Sequence, residues 1–466
     1  MKKLNAFLVS VFATVALNAA VIEQVIVRQQ WPWSTDVKVE YKLSAVTNPV
    51  DIAVQAFNGV TELSLPEAAI TGNRYGITED GVGTLVIDPV AAFGTEKVAL
   101  ANFKVKLTVS DSAANIREPL YRICDLTTGE VKDLSRADIM NDRSYGNYVT
   151  NYAAIHPGFT TGATDVFIWT GVTNNPIYKT SKLVMRRIKA KGETWQCGSN
   201  GESQYAFTTP ETQYYIQFSY DYYMSVFELT QEQYRLIAGS NPSTNKGAEN
   251  SPRCPVENTC LWMLRGHAGN WGDDAKGVIT DEIVLWPTNS YEHDVGKGSF
   301  LAKLRSKTQW EFDLPTQLQW EYACRAGTQT PYNSGKAGQS ADVVQELGWV
   351  GEDQPRVVRE VGLRLPNAFG LYDMHGNMME ITINNSNRQD NSDSGSGTKE
   401  DPYVNPRGGA ITGMVNAKRG GSFENNHLDC RSAAIGSQFA VHQTEVNIGI
   451  RLTASASATW GEHPSK

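Results

Sequence analysis

Apolar and polar residues alternate with a period of two in the N-terminal quarter of the chain. Every second residue is apolar in DVKVEYKL (36–43), and FKVKLTV (103–109) repeats this alternation. Such alternation buries one face of a strand and leaves the other in solvent. The turn-forming sequences FNGV, ITGN and EDGVG separate these runs. We therefore predict an antiparallel immunoglobulin-like β-sandwich over residues 21–115, serving as a spacer or a binding module.

Two short helices are predicted further along the chain by their capping residues. In each, a threonine is followed three residues later by a glutamine, so that both side chains can satisfy free backbone amides, and a glycine ends the helix. The two segments are LTQEQYRLIAG (Thr230, Gln233, Gly239) and LPTQLQWEYACRAG (Thr316, Gln319, Gly327).

Residues 116–183 form a predicted connector with strands. DVFIWTGV (165–172) and SKLVMRRI (181–188) are interpreted as strands. The polar segment 135–154 that precedes them predicts a long loop. Residues 384–402 are too polar to pack, which predicts a surface loop. A polar tail follows over residues 454–466.

The N-terminal segment has the features of a secretory signal peptide. Lys2 and Lys3 precede the short apolar run 7–17, and small residues follow at Ala19 and Ala20. A buried N-terminal helix is the alternative interpretation. We predict a signal peptide over residues 1–20, a secreted or periplasmic location, and no membrane anchor after its cleavage. The signal peptide and the domain pattern together suggest a bacterial protein.

Charge and cysteine content argue against a nucleic-acid partner and against a zinc site. The formal net charge is −8 and no basic stripe is visible, which argues against nucleic acid as a partner. The cysteines number 6, none of them in a CxxC pair, which disfavours a zinc site. In an exported protein such cysteines favour disulfides. Cys254 with Cys260 and Cys124 with Cys197 are candidate pairs.

Many ordered motifs between residues 184 and 453 resemble the formylglycine-generating enzyme family, also called the sulfatase-modifying factor family. The motifs are KGETWQCGS (191–199), YYMSVFELTQEQY (222–234), GSNPS (239–243), PVENTCLW (255–262), FDLPTQLQWEYACRAGT (312–328), PNAFGLYDMHGNMMEI (366–381), RGGSF (419–423), CRSA (430–433) and GIRL (449–452). The resemblance implies an α+β class and a loop-rich, C-type-lectin-like fold for residues 184–453, preceded by the β-sandwich.

The resemblance also implies a chemistry. Copper-dependent oxidases of the family convert a sulfatase cysteine to formylglycine with molecular oxygen, using two cysteines shortly after the RGGS element. Two thiolates bind Cu(I) well. Here Asn425 occupies the first cysteine position, or that position is lost in a gap. Copper is therefore not expected.

Cys430 has two interpretations. Counted without a gap it stands at the second catalytic position, whereas within CRSA it resembles the family cysteine that forms a structural disulfide with the cysteine of the WEYxCR helix. That helix cysteine is Cys324 here. The resemblance thus implies a Cys324–Cys430 disulfide, since a lone thiol would be open to oxidation outside the cytoplasm.

The sequence DMHGNMME resembles a calcium-binding turn of the family. Carried over, the ligands would be the Asp373 and Glu380 carboxylates and the Gly376 and Met378 carbonyls, a hard-oxygen set that suits a structural Ca²⁺. The alternative is a tight turn in which Asp373 caps the backbone and Glu380 pairs with an arginine. His375 is interpreted as a surface or capping histidine. The chain's 7 histidines show no spacing for iron.

Three functional hypotheses follow. The first is a non-catalytic binding or scaffolding module whose cleft, lined by Arg419, Asn425, Asn426 and His427, takes a peptide or a glycan. The second is a formylglycine-generating oxidase with an altered site. The third is a structural surface protein whose modules only pack against neighbours.

Overall fold

A computed structural model describes residues 20–29, 34–94, 100, 102–158, 163, 165–199, 211–266, 295–296, 298–336, 338–384, 392–406, 415–440 and 442–456. Contacts divide the chain into two compact units, Met1–Leu120 with Leu134–Tyr148 and Tyr121–Asp133 with Val149–Lys466. Apart from Ala20, the predicted signal peptide lies outside the described residues. None of the helices in the described ranges has the length and apolar character needed to cross a membrane.

The first unit is built from antiparallel strands. They are β1 (Val21–Gln29), β2 (Val37–Ser44), β3 (Val50–Asn58), β4 (Thr61–Leu63), β5 (Ile70–Gly72), β6 (Gly81–Ile87) and β7 (Phe103–Asp111). One sheet has the order β1-β2-β6-β5 and the other the order β4-β3-β7. A helix, α1 (Pro89–Phe93), begins at Asp88, whose carboxylate accepts hydrogen bonds from two backbone amides.

The predicted alternation is confirmed in both strands. Val39, Tyr41 and Leu43 of β2 are buried, as are Val105 and Leu107 of β7, and these residues share one core across the two sheets. The polar residues between them face outward or are half-buried. A β-sandwich results because each sheet has one apolar face.

The second unit contains short strands in several sheets. They are β8 (Pro119–Asp125), β9 (Val131–Ser135), β10 (Lys182–Ile188), β11 (Thr194–Cys197), β12 (Tyr214–Gln217), β13 (Tyr222–Ser225), β14 (Phe312–Asp313), β15 (Met379–Ile381), β16 (Tyr403–Val404), β17 (Val415–Arg419), β18 (Gly436–Ala440), β19 (Ile448–Gly449) and β20 (Thr453–Ser455). One sheet has the order β14-β20-β13-β10-β8-β9, and another β18-β17-β15-β19.

The second unit also contains short helices. They are α3 (Gln231–Ala238), α4 (Leu261–Arg265), α5 (Phe300–Thr308), α6 (Gln317–Arg325) and α7 (Ala341–Gln345). Both predicted capping boxes are present at the start of α3 and α6. Gly239 ends α3 with a φ of 87°, a conformation that glycine adopts without strain. The mixed α and β composition confirms the predicted fold class.

Parts of the connector differ from prediction. SKLVMRRI is the strand β10, but DVFIWTGV contains only an isolated bridge at Ile168 and a 3₁₀ helix, Thr170–Thr173. Trp169 is buried there against the rings of Tyr121 and Tyr178. The run is apolar because it is core, and a short apolar run alone does not distinguish the two states.

The predicted polar loop 135–154 also contains structure. A helix, α2 (Arg136–Asn141), begins at Ser135, whose side chain and that of Asp138 form a capping box. The same kind of capping box, with threonine in place of serine, begins α3 and α6. The prediction of a continuous loop over these residues was wrong.

Candidate functional site

The candidate site is the loop that follows β17, and Arg419, the last residue of that strand, is not exposed. Arg419 is buried, and its Nη2 lies 2.8 Å from Glu321 Oε2. Its Nη1 donates to the carbonyl oxygens of Ser432 and Ala434 at 3.2 and 2.9 Å. Arg419 therefore holds the loop to α6 and does not line a cleft, in contrast to the sequence prediction.

Asn425 closes the turn after Ser422. Its Oδ1 accepts from the Ser422 amide at 3.0 Å and from the Ser422 hydroxyl at 2.6 Å. Its own carbonyl accepts from the amide of Gly351 at 2.6 Å. The side chain at this position thus serves the backbone conformation of the loop.

Asn426 and His427 continue the loop on the surface. Asn426 caps the 3₁₀ helix His427–Cys430, because its Oδ1 accepts from the Leu428 amide at 2.9 Å. His427 Nδ1 lies 2.6 Å from Glu352 Oε1. Burial raises the pKa of Glu352, but the hydrogen bonds from His427 outweigh it and leave that pKa below its usual range. Asn425, Asn426 and His427 therefore come together, and Glu352 joins them.

Cys430 lies beneath this surface. Its side chain is fully buried, packs directly against Gly421, and its Sγ is 3.5 Å from the carbonyl of Asn426. Burial raises the pKa of the Cys430 thiol well above its usual value, and the nearby Asp429 and Glu352 carboxylates raise it further. The thiolate, which is the form that attacks or binds metal, is disfavoured at this position.

The predicted disulfide between Cys324 and Cys430 is not formed in the structure, where neither sulfur is bonded to another cysteine. The Cys324 Sγ lies 3.6 Å from Ser432 Oγ and 3.8 Å from His375 Nε2. Burial raises the pKa of Cys324 to about 12. The Cys324 sulfur thus contacts Ser432 and His375, whereas the Cys430 sulfur contacts the Asn426 carbonyl.

His375 is a buried core residue and not the surface or capping histidine that we predicted. Its Nε2 accepts from the Asn333 amide at 3.1 Å, so its Nδ1 carries the proton and donates to the Cys430 carbonyl at 2.7 Å. Burial lowers the pKa of His375 to about 4. The neutral imidazole connects two loops and has no ring nitrogen left for a ligand.

The predicted calcium-binding turn is centred on a buried ion pair. Glu380 is bonded by Arg451, whose Nε lies 2.9 and 3.0 Å from the two carboxylate oxygens. Trp320 Nε1 donates to the same carboxylate at 2.5 Å. Both oxygens of Glu380 are thus occupied, as in the arginine-paired alternative. The set Asp373, Gly376, Met378 and Glu380 does not fit a cation in this arrangement.

Two further carboxylates lie in the same buried cluster. Glu228 accepts from Asn377 Nδ2 at 2.6 Å and from the Met378 amide at 2.9 Å. Burial, and then the negative charges of Asp373 and Glu380, raise the pKa of Glu228 well above its usual value. Asp373 accepts from the Gly362 amide at 2.6 Å through Oδ2, and burial raises its pKa to about 6.

Glu228 is the member that sequence reasoning missed. It lies between Phe227 and Leu229 just before the cap of α3, where a charged residue in an apolar run is the available signal. Its partners are distant in sequence, so the run itself does not identify them. Over the ranges that the structure describes, no three His, Cys, Asp or Glu side chains are grouped to hold a metal ion.

The second unit is loop-rich, its helices α3 and α6 are short and capped, and the loop after β17 is held by the Ser422–Asn425 turn. These features define a loop-rich α+β domain. Residues 188–456 match the model of the sulfatase-modifying factor enzyme 1-like domain, and the chain belongs to that family. This confirms the family resemblance that the sequence motifs indicate.

Two curated proteins are similar to parts of the chain. A protein named chaperone protein LppX, from Paenibacillus barcinonensis, is 27% identical over 177 residues, which are 34% of this chain and 61% of that protein. A formylglycine-generating enzyme from Bos taurus is 31% identical over 159 residues, 32% of this chain and 40% of that protein. The chain thus matches less than two thirds of the length of either relative.

Two solved structures are also similar. Treponema denticola variable protein 1 has a TM-score of 0.43 at 21% identity, over 59% of this chain and 95% of that one. PvdO from Pseudomonas aeruginosa has a TM-score of 0.41 at 16% identity, over 58% of this chain and 94% of that one.

Proposed function

We propose that this protein is exported and that its sulfatase-modifying-factor-like domain (residues 188–456) binds a peptide or a glycan without catalysing formylglycine formation. The observation that carries the proposal is the pairing of Asn425 with Ser422, at the position where the resemblance implies the first copper cysteine. Asn425 has an amide where the oxidase mechanism needs a thiolate, and that amide is engaged in the turn.

The state of Cys430 supports the same proposal. Cu(I) is bound by thiolates, and the Cys430 thiol is fully buried with its pKa raised well above the usual value. A substrate cysteine would have to reach this sulfur through the loop that covers it. Without a second thiol beside it, Cys430 lacks the pair that a copper site requires.

The surface above Cys430 is suited to binding. Asn426 is exposed, and Glu352 and His427 form a partly exposed hydrogen-bonded pair beside it. The side-chain oxygens of Asn425 and Asn426 accept hydrogen bonds from backbone amides of the loop, so little conformational entropy is lost when a ligand binds. Amide, imidazole and carboxylate groups together offer donors and acceptors for a peptide backbone or for sugar hydroxyls.

The catalytic alternative is tested by mass spectrometry. The mature protein is incubated with Cu(I), oxygen and a cysteine-containing sulfatase-type peptide, and the Cys430→Ser variant is treated in parallel. We expect the peptide to be unchanged by both proteins. An aldehyde formed by the unaltered protein and absent with Cys430→Ser would establish an oxidase with an unfamiliar site.

Binding is tested separately with glycan and peptide arrays probed with the full mature chain. We expect a ligand whose affinity falls about 10-fold in a Glu352→Gln, Asn426→Ala double variant, the loss expected for one or two charge-assisted hydrogen bonds. The matched control is Glu130→Gln, an exposed residue outside this loop. Equal affinity in all three proteins would contradict the proposed surface.

A further inference from the structure

A separate cavity lies in the first unit, away from any residue that the family resemblance assigns. It has a volume of 280 Å³ and is formed largely by residues 73–83, which we call the cavity loop. Tyr41, Leu43, Arg117 and Asn141 complete its walls. Ligand pockets for small molecules usually have about 300–1,000 Å³, so this cavity lies just below the lower limit of that range.

The cavity loop is held in place by side chains from elsewhere in the unit. Each of these side chains forms a hydrogen bond with the loop backbone. Tyr41 Oη donates to Asn73 O at 2.6 Å, and Asn141 Oδ1 accepts from the Arg74 and Tyr75 amides at 3.0 Å each. At Gly76, Asp51 Oδ1 accepts from the amide at 2.8 Å and Arg117 donates to the carbonyl oxygen. The concave shape of the loop is therefore preorganised.

The glycines of this region show how closely the walls are packed. A Cβ on Gly83 would overlap the ring of Tyr41, which lies directly against the backbone there. Gly76 has a φ of +63° and is covered by the Arg117 side chain. These two positions require glycine for the walls to stand where they do.

The side chains of the cavity are exposed and chemically mixed. Thr78, Glu79, Asp80 and Arg117 are all solvent-exposed. Asp80 uses Oδ1 to accept from the Val46 amide at 2.8 Å, which fixes its carboxylate. The cavity thus combines carboxylate acceptors, guanidinium donors and a hydroxyl next to two tyrosine rings, Tyr41 and Tyr75.

We propose that this cavity binds a short, neutral, hydroxyl-rich oligosaccharide. A sugar hydroxyl both donates and accepts, so a sugar can use the carboxylates and Arg117 together. An anionic ligand would meet Glu79 and Asp80, and a cationic ligand would meet Arg117. The half-buried ring of Tyr75 provides an apolar surface for the C–H face of a sugar ring. The first unit is then a carbohydrate-binding module independent of the loop after β17.

The test is isothermal titration of the full mature chain with maltotriose, cellotriose, chitotriose, mannotriose and xylotriose, each to about 10 mM, a limit that includes millimolar affinities. We expect one of them to bind. Glu79→Gln, which removes a charged acceptor, and Thr78→Trp, which fills the cavity, should each weaken that binding at least 10-fold.

Glu62→Gln is the matched control, because Glu62 is exposed on β4 and does not line the cavity. Circular dichroism checks that the variants keep their β-structure. Failure of the unaltered chain to bind any of the five sugars would overturn the proposal. Equal affinity for the unaltered chain and both cavity variants would overturn it as well.

Discussion

The side-chain oxygen of Asn425 lies 2.6 Å from the hydroxyl of Ser422 and 3.0 Å from its amide. This pair determines the shape of the loop that carries Asn426 and His427. We expect Asn425→Ala to lower the stability of the domain by about 1–2 kcal/mol, because it leaves the Ser422 amide without its acceptor. Asn425→Asp keeps an acceptor and should cost less. Denaturant unfolding of both variants measures the difference, and equal losses would contradict this role.

The six cysteines provide a second prediction. We expect Cys324 and Cys430 to resist alkylation in the native protein, because both are fully buried and their thiol pKa values are raised. After unfolding without a reductant, both should be alkylated. Peptide mapping by mass spectrometry reads the result. A peptide pair joined through Cys324 and Cys430 would instead establish the disulfide that the family resemblance implies.

The Glu380–Arg451 pair provides a third prediction. Glu380→Gln leaves the Arg451 charge buried without its counterion, and we expect a loss of about 3–5 kcal/mol in unfolding free energy. Glu232→Gln is the control, since it breaks an exposed pair with Arg235 and should cost at most about 1 kcal/mol. Similar losses of unfolding free energy in the two variants would show that the buried pair stabilises the fold no more than the exposed pair does.

Calcium removal tests the same turn in another way. Because both Glu380 oxygens are taken by Arg451 and Trp320, we expect neither added calcium nor a chelator to change the melting temperature. A structural ion present at 100 times its dissociation constant would add about 2.7 kcal/mol. A clear calcium-dependent rise would show that the folded chain binds calcium, and loss of that rise in Asp373→Asn would place the ion at this turn.

A buried histidine provides a pH-dependent prediction. His156 Nε2 donates to the Pro366 carbonyl at 2.7 Å, and burial lowers its pKa from 6.5 to about 4. As the pH falls, His156 is therefore protonated at a higher pH in the unfolded chain than in the folded chain. His156 contributes stability above pH 6.5 that is lost as the pH falls toward 4, by at most about 1.4 kcal/mol per pH unit.

The comparison of interest is the change in unfolding free energy between about pH 7 and about pH 5 in the unaltered protein and in His156→Gln. Glutamine does not titrate, so the loss over this range should be smaller in the variant. The difference between the two losses isolates His156 from the other titrating groups. Identical losses would mean that His156 titrates with the same pKa in the folded and the unfolded chain.

Local sequence determined a large part of the fold. Alternation in 36–43 and 103–109 predicted β2 and β7, because period two is the geometry of a strand with one buried face. The capping boxes of α3 and α6 were predicted because cap and partner are three residues apart. The Ser135 box was equally local, and counting that spacing would have found α2.

Tertiary structure alone decided the chemistry of the candidate residues. Cys430, His375 and Glu380 carry the same side chains whether they serve catalysis, metal binding or packing. Their roles depend on burial and on partners such as Arg451, which is 71 residues from Glu380. Burial disfavours a thiolate and a charged imidazole, and an ion pair occupies a carboxylate that the sequence left available for calcium. Those partners meet only when the loops fold together, so the motifs identified the family but not the state of its site.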